Sequence, residues 1–284
     1  MKTKYKVSTL QQALEKERKS GKKIGFVPTM GALHEGHISL VQQAQKRVDI
    51  VVVSIFVNPT QFDNKQDLKK YPRTLPLDKK LLKAHGVNYV FAPSVEEVYP
   101  EKRKKKVKVD LNGLDEQMEG AFRPGHFAGV VQVVKRLLDI VQPDSLYMGQ
   151  KDFQQFTIIQ QMIHDLSIPT ELIVCPIMRE AHGLAMSSRN ERLPENLRKR
   201  ASIIYKTLKK AKRMMKDHTP SKIEKWALSN LAIDGFEPEY FTIADGHTLK
   251  KIKSFKGKKY LVACTAVWTG GVRLIDNIIL LKTK

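Results

Sequence analysis

Cysteine is nearly absent: Cys175 and Cys264 are the only two in 284 residues. They stand far apart, form no CxxC pair and have no cluster of histidines and cysteines beside them. That excludes a disulfide scaffold and a zinc-finger-like site, and it fits a reduced, cytoplasmic setting. Long apolar runs are also lacking. No stretch approaches the roughly 20 apolar residues that a membrane-spanning helix needs. The opening MKTKYKVSTLQQALEKERK has basic residues but neither the apolar segment nor the small-residue cleavage site of a signal peptide. Repeats and low-complexity tracts are missing as well. Acidic residues are the last shortage: 29 Asp and Glu face 50 Lys and Arg, a formal net charge of +21.

The basic excess is concentrated. Residues 101–108 read EKRKKKVK, and residues 198–225 hold eleven basic residues against two acidic ones. Both read as solvated surface. In the second stretch Ile203, Leu208, Ala211 and Met215 recur at helical spacing, which leaves the lysines on the outer face. A basic nucleic-acid-binding module is one reading of such charge. However, RNP-like aromatics, a recognition-helix signature and zinc-finger spacing are all missing, which argues against nucleic acid. The charge is read instead as solubility and attraction for anionic substrates.

What is present is 42% hydrophobic content, enough over this length for a large core and for two domains. Short β-branched runs alternate with amphipathic segments through the first two-thirds, the pattern of βαβ units on a parallel sheet. Strands are predicted at 24–27, 50–57, 88–91, 147–148 and 171–174, and helices at 38–48, 77–85 and 129–141 and through 158–162. The apolar run IVVVSIFV at 50–57 is a buried parallel strand, ended by Pro59. From Pro194 onward the pattern becomes two basic amphipathic helices followed by antiparallel strands at 240–244, 259–268 and 272–281. The expected fold class is α/β: a Rossmann-like domain over residues 1–184 with a smaller α+β domain over 185–284.

The first chemical signal is PTMGALHEGH at residues 28–37, a strand, a loop and a helix start. Gly31 and Gly36 allow close backbone approach to phosphate, the helix N-terminus offers free N–H groups, and His34 and His37 lie three apart. A protonated imidazole there could neutralise charge developing on an α-phosphate. The plain alternative is a pair of capping histidines around an ordinary βα loop.

HEGH resembles the HxGH signature of the adenylyl-transferring Rossmann-like superfamily. The full string is similar to that of the pantothenate synthetase (pantoate–beta-alanine ligase) family. VNPTQF (57–62), YPRT (71–74), RPGHFAGV (123–130), GQKDFQQ (149–155), PIMRE (176–180), GLAMSSRN (183–190) and RLIDN (273–277) follow in that family's order and spacing. The resemblance covers nearly the whole chain.

The resemblance implies an ATP-dependent ligase of the coenzyme A pathway that joins pantoate to β-alanine through a pantoyl adenylate. An HxGH loop alone would equally suit a nucleotidylyltransferase acting on a phosphorylated acceptor. Carried over residue by residue, Met30, Gly31, Ala32, Leu33, His34, Glu35, Gly36 and His37 form part of the ATP site. His37 is the catalytic imidazole, and His34 assists on the phosphates. Gly149, Gln150, Lys151 and Asp152 border ATP, with Lys151 near the phosphates and Asp152 toward the ribose; a bare Lys-Asp pair would otherwise read as a surface ion pair. Met178 approaches adenine through its backbone, while Met186, Ser187, Ser188 and Arg189 bind the outer phosphates and the departing pyrophosphate.

Gln61 and Gln155 hold pantoate, with β-alanine arriving beside Gln61; amides suit this because they offer donor and acceptor without titrating. Arg123 and His126 either border the phosphate or pantoate region or anchor their loop. Mg²⁺ is expected with the triphosphate. Where some members carry an acidic run after YPRT, this chain has Leu75, Pro76 and Leu77, which leaves Asp78 as the nearest candidate ligand. His182 replaces a commonly acidic residue before Gly183. A homodimer and closure of residues 185–284 as a lid over the ATP site are also expected.

Overall fold

The structure is a computed structural model that describes residues 1–62, 65–100 and 107–283. Of the basic stretch at 101–108, residues 101–106 lie outside the described residues. In chain order the elements begin β1 (Lys2–Lys4), α1 (Val7–Lys19), β2 (Ile24–Thr29), α2 (Glu35–Gln45) and β3 (Ile50–Ile55). Next come α3 (Lys65–Lys70), α4 (Leu75–Ala84), β4 (Tyr89–Phe91), α5 (Val95–Val98), α6 (Glu119–Phe122) and α7 (His126–Val141). Then follow β5 (Ser145–Gly149), α8 (Phe153–Asp165), β6 (Glu171–Cys175), α9 (Glu195–Arg200), α10 (Ser202–Met214) and α11 (Pro220–Leu231). The strands β7 (Glu237–Asp245), β8 (Tyr260–Thr269) and β9 (Val272–Lys282) close the chain. Two compact units result: residues 1–111, 123–149 and 158–176 make the first, and 112–122, 150–157 and 177–284 make the second.

Among the described residues, the first unit is built on a six-stranded parallel sheet in the order β1-β4-β3-β2-β5-β6. From β2 the chain steps outward to β3 and β4, then returns to place β5 on the other side of β2. The order therefore reverses between β2 and β5, and ligands of open α/β sheets bind beyond the carboxyl ends of the strands at such a point. Val27, Val51, Val53 and Val90 bury against Ile38, Val41 and Ala44 of α2. Strand alternation turns the neighbouring residues, such as Phe26 and Val52, to the opposite face, and α7 packs on both β2 and α1. Covering both faces is what permits the near-continuous apolar run of β3.

Several boundaries differ from the sequence expectation for identifiable reasons. β2 continues through Pro28 and Thr29, because over these residues it pairs with β3 alone. The missing Pro28 N–H therefore costs no ladder bond to β5. α2 starts at Glu35 rather than at 38 because the His34 side chain caps it. α7 starts at His126, three residues before the predicted start, because Gly125 turns the chain in with φ 82°. β1 is a short polar edge strand, Lys-Thr-Lys, without apolar periodicity to announce it.

The second unit pairs α9 to α11 with an antiparallel sheet β7-β8-β9. Where two helices were predicted, three form. On α10 the buried apolar residues are Ile204, Leu208 and Ala211, with Ile203 and the following Met215 only partly covered. Both cysteines are buried and free. Burial pushes the Cys175 thiol up to about 11 and raises that of Cys264 further, so neither is a reactive thiolate.

Candidate active site

In the first unit the loop after β2 stands at the sheet's switch point. Thr29 Oγ1 donates to Ser54 O (2.6 Å) and accepts from the Gly31 N–H (3.2 Å), which fixes the loop's base. Gly31 (φ 81°) and Ala32 (φ 49°) both take left-handed backbone, so the turn is tight and the alanine is strained. A side chain at Gly31 would stand 3.0 Å from Asp78 Oδ2.

Asp78 is the residue that holds this loop. It is 3% exposed, its Oδ1 accepts from Leu33 N–H (2.8 Å), and its Oδ2 accepts from Ala32 N–H and Thr74 Oγ1 (both 3.2 Å). Sequence made Asp78 the nearest candidate ligand for magnesium. Both carboxylate oxygens are engaged by donors within the fold, so the carboxylate serves as a buried anchor for the loop. Among the described residues no group of three or more His, Cys, Asp or Glu is arranged to hold a metal ion.

The two histidines cap α2 reciprocally. His34 Nδ1 accepts from the Gly36 N–H (3.1 Å), and the His37 ring reaches back so that its Nδ1 accepts from the His34 N–H (3.3 Å). The rings lie 4.1 Å apart. An Nδ1 that accepts carries no proton, so each neutral ring keeps its hydrogen on Nε2. The cap uses Nδ1 of both rings, and the expected contact with phosphate would fall to Nε2.

Gln61 is held at both ends of its amide. Its Oε1 accepts from Asn58 Nδ2 (3.1 Å) and its Nε2 lies 3.1 Å from Met30 Sδ, which fixes the amide's orientation. Asn58, which sequence reasoning passed over, is fully buried. It also donates to Gly129 O, while its Oδ1 accepts from Tyr99 OH (3.0 Å) and Thr60 Oγ1 (3.0 Å). Its only sequence signal was an asparagine at a strand end directly before Pro59. His126 Nδ1–H donates to Gln61 O (2.8 Å), so its bond serves the anchoring role, and Arg123 O accepts from His126 N–H at the turn before α7. Gly129 lets α7 approach this loop, since a Cβ there would lie 2.3 Å from Thr60 O.

In the second unit Lys151 and Asp152 pair with each other (3.3 Å), and Gln155 is half-buried on the first turn of α8. Its neighbour Gln154, also passed over from sequence, is buried and ties residues 114–119 by bonds to Leu114 O, Gln117 O and Glu119 N–H. Residues 178–186 form a hairpin: Met186 N–H donates to Met178 O (2.9 Å), and Glu180 N–H donates to Leu184 O (2.8 Å). Ser187 Oγ then accepts from Arg189 N–H (3.3 Å) to cap a single 3-10 turn over Ser188–Arg192.

Glu180 braces the hairpin, accepting from Asn190 Nδ2 (2.6 Å) and Arg198 Nε (2.9 Å). Burial works to raise its pKa, but the Arg198 and Asn190 hydrogen bonds, with the Arg198 charge, hold it below the ordinary carboxylate value. His182 Nε2–H donates to Arg198 O (2.9 Å), so the departure at this position is absorbed by the same brace.

A parallel sheet whose switch point carries a glycine- and histidine-bearing loop entering a helix N-terminus is the layout of a nucleotide-binding α/β protein. Comparison with known proteins narrows the class. The pantoate-beta-alanine ligase family description matches residues 2–279. Pantothenate synthetase of Bacteroides fragilis is 48% identical over 279 residues, covering 98% of each chain, and that of Porphyromonas gingivalis is 46% identical over 273, covering 96% of each. Among solved structures, pantothenate synthetase from Thermus thermophilus superposes with a TM-score of 0.92 at 38% identity, over 99% of this chain and all of that one. A pantoate-beta-alanine ligase from Francisella tularensis, complexed with beta-gamma ATP and beta-alanine, gives 0.77 at 34% identity, over 99% of this chain and 98% of that one. The chain belongs to the pantoate-beta-alanine ligase family and is a ligase; the nucleotidylyltransferase alternative is not favoured.

Proposed function

We propose that the chain condenses pantoate with β-alanine at the expense of ATP, in two steps. A pantoate carboxylate oxygen attacks the α-phosphorus of ATP, and pyrophosphate leaves. The β-alanine amine then attacks the acyl carbon of the mixed anhydride, loses a proton, and AMP leaves with the bridging oxygen. The observation that carries this reading is family membership across almost the entire chain, including 34% identity to a relative solved with beta-gamma ATP and beta-alanine.

In this reading Met30 to His37 receive ATP, with the Nε2–H of His37, and of His34 beside it, donating to phosphate oxygens. Lys151 and Arg189 supply positive charge, Ser187 and Ser188 donate to outer phosphates, Asp152 accepts from the ribose, and the Met178 backbone meets adenine. Gln61 and Gln155 orient pantoate. The fixed amide of Gln61 supports that role, since a preset donor and acceptor lose little freedom on binding. Magnesium accompanies ATP through phosphate oxygens and water, with no described carboxylate assigned to it. Residues 1–184 hold the substrates and residues 185–284 act as a lid, in a cytoplasmic homodimer. Light scattering tests the dimer, and small-angle scattering with and without ATP plus pantoate tests closure.

The deciding assay is release of pyrophosphate and AMP from ATP with pantoate, with and without β-alanine, in the wild type and His37→Ala. Pyrophosphate with pantoate alone, AMP only after β-alanine, and loss of both in the variant are expected. Absence of pantoate-dependent pyrophosphate in the wild type would overturn the reading.

A further inference from the structure

An arginine beside nucleotide-binding motifs invites assignment as a phosphate ligand, but Arg179 is already committed. Its fork closes on Asp276, with NH1 donating to Oδ2 (2.6 Å) and NH2 to Oδ1 (2.9 Å), and NH1 also donates to Gly183 O (3.1 Å). The guanidinium lies 3.6 Å from the Tyr205 ring centroid. Asp276 is 4% and Asn277 2% exposed, and both lie within β9, paired opposite Thr265 and Cys264 of β8. Their backbone is therefore among the most constrained in the second unit.

Asn277 is committed as fully. Its Nδ2 donates to two successive carbonyls, Gln150 O and Lys151 O (both 2.9 Å), its Oδ1 accepts from Gln150 Nε2 (3.1 Å), and its N–H donates to Asp276 Oδ1 (2.8 Å). An amide that spends both donors on the backbone of one loop can act on a ligand only through that loop. One end of the cluster therefore holds the Lys151 backbone, and the other holds the hairpin that leads into Met186 to Arg189. Neither residue joins the hydrophobic cluster of this unit.

We propose that Arg179, Asp276 and Asn277 are positioning residues that fix the spacing between the Gln150–Lys151 loop and the 178–186 hairpin. The inference rests on the reading of Lys151 and Ser187 to Arg189 as phosphate-handling groups. A lysine whose Cα is pinned to a strand meets phosphate without first ordering its loop. Releasing the pin lowers ATP affinity while leaving the amine-transfer step to groups the cluster does not touch.

The test compares Asn277→Leu, which removes both donors at similar volume, with Arg179→Lys, which keeps the charge facing Asp276 but loses the fork. For each, KM for ATP comes from pantoate-dependent pyrophosphate release and KM for β-alanine from AMP release. Expected is a rise in ATP KM of about tenfold or more, the cost typical of losing a supporting partner, with β-alanine KM within about twofold. ATP KM unchanged in both variants, a proportional decline for all substrates, or loss of cooperative melting in both would assign the cluster to stability and overturn the proposal. If Asn277→Leu alone fails to fold, Arg179→Lys decides. A wild type that releases no pyrophosphate with pantoate defeats the functional reading itself. A wild type that does, alongside variants matching its ATP KM, defeats only the positioning role.

Discussion

Asp78 has a structural role that its type and place in the sequence do not announce. A carboxylate near a proposed triphosphate site reads as a metal ligand; its anchoring role comes from amides 45 and 46 residues away in sequence, which no local pattern reveals. Asp78→Asn separates the two roles. Whichever way the new amide turns, its NH₂ meets the N–H of Ala32 or Leu33, a loss of about 1–3 kcal/mol. The expected outcome is a higher KM for ATP with the magnesium concentration for half-maximal pyrophosphate release unchanged. A large shift in that magnesium requirement would favour the ligand reading. The capping by His34 and His37 was legible only as the plain alternative to a phosphate-handling role. His34→Ala should lose about 1 kcal/mol of stability, whereas His34→Asn, a good cap, should lose little. Both should lose most pantoate-dependent pyrophosphate release. Equal destabilisation by the two, measured by denaturant melts, would show that the ring does not act as a cap.

At the scale of elements, periodicity made the parallel strands and the helices after β2 and β5 legible, because burial on both faces leaves long apolar runs. Starts and ends were less legible. α7 begins where a left-handed glycine permits, and α2 where a side chain caps, and both are conformational facts with weak sequence signals. The hairpin at 178–186 was readable only as two motifs, since its brace, Glu180, joins residues that are local in space but spread over 18 positions. That brace predicts a pH dependence. The folded pKa of Glu180 lies below its ordinary value of 4.5. The group therefore contributes stability that is fully present above that value and is lost as pH falls through the folded pKa. Melting temperatures of wild type and Glu180→Gln should differ by a constant amount from about pH 7 down to about pH 5 and converge below it. A gap that stays constant to about pH 3 would mean the ionised form is not what the fold binds.

At the scale of the whole molecule, the assignment of residues 112–122 and 150–157 to the second unit could not be read from sequence. It depends on buried polar bonds of Gln154 and Asn277, whose partners lie as far as 127 positions away. The charge of +21, by contrast, was plain from composition and makes the last prediction. A basic molecule attracts anions over a distance set by salt, with a Debye length of about 8 Å at 0.15 M. The three proposed substrates differ in charge: ATP is multiply anionic, pantoate carries one negative charge and β-alanine is a net-neutral zwitterion. If the lysine excess draws in anionic substrates, kcat/KM should fall with added potassium chloride most steeply for ATP, less for pantoate and least for β-alanine. Equal slopes for all three would point to a general salt effect on the fold, and would leave the lysine-rich surface with solubility as its only supported role.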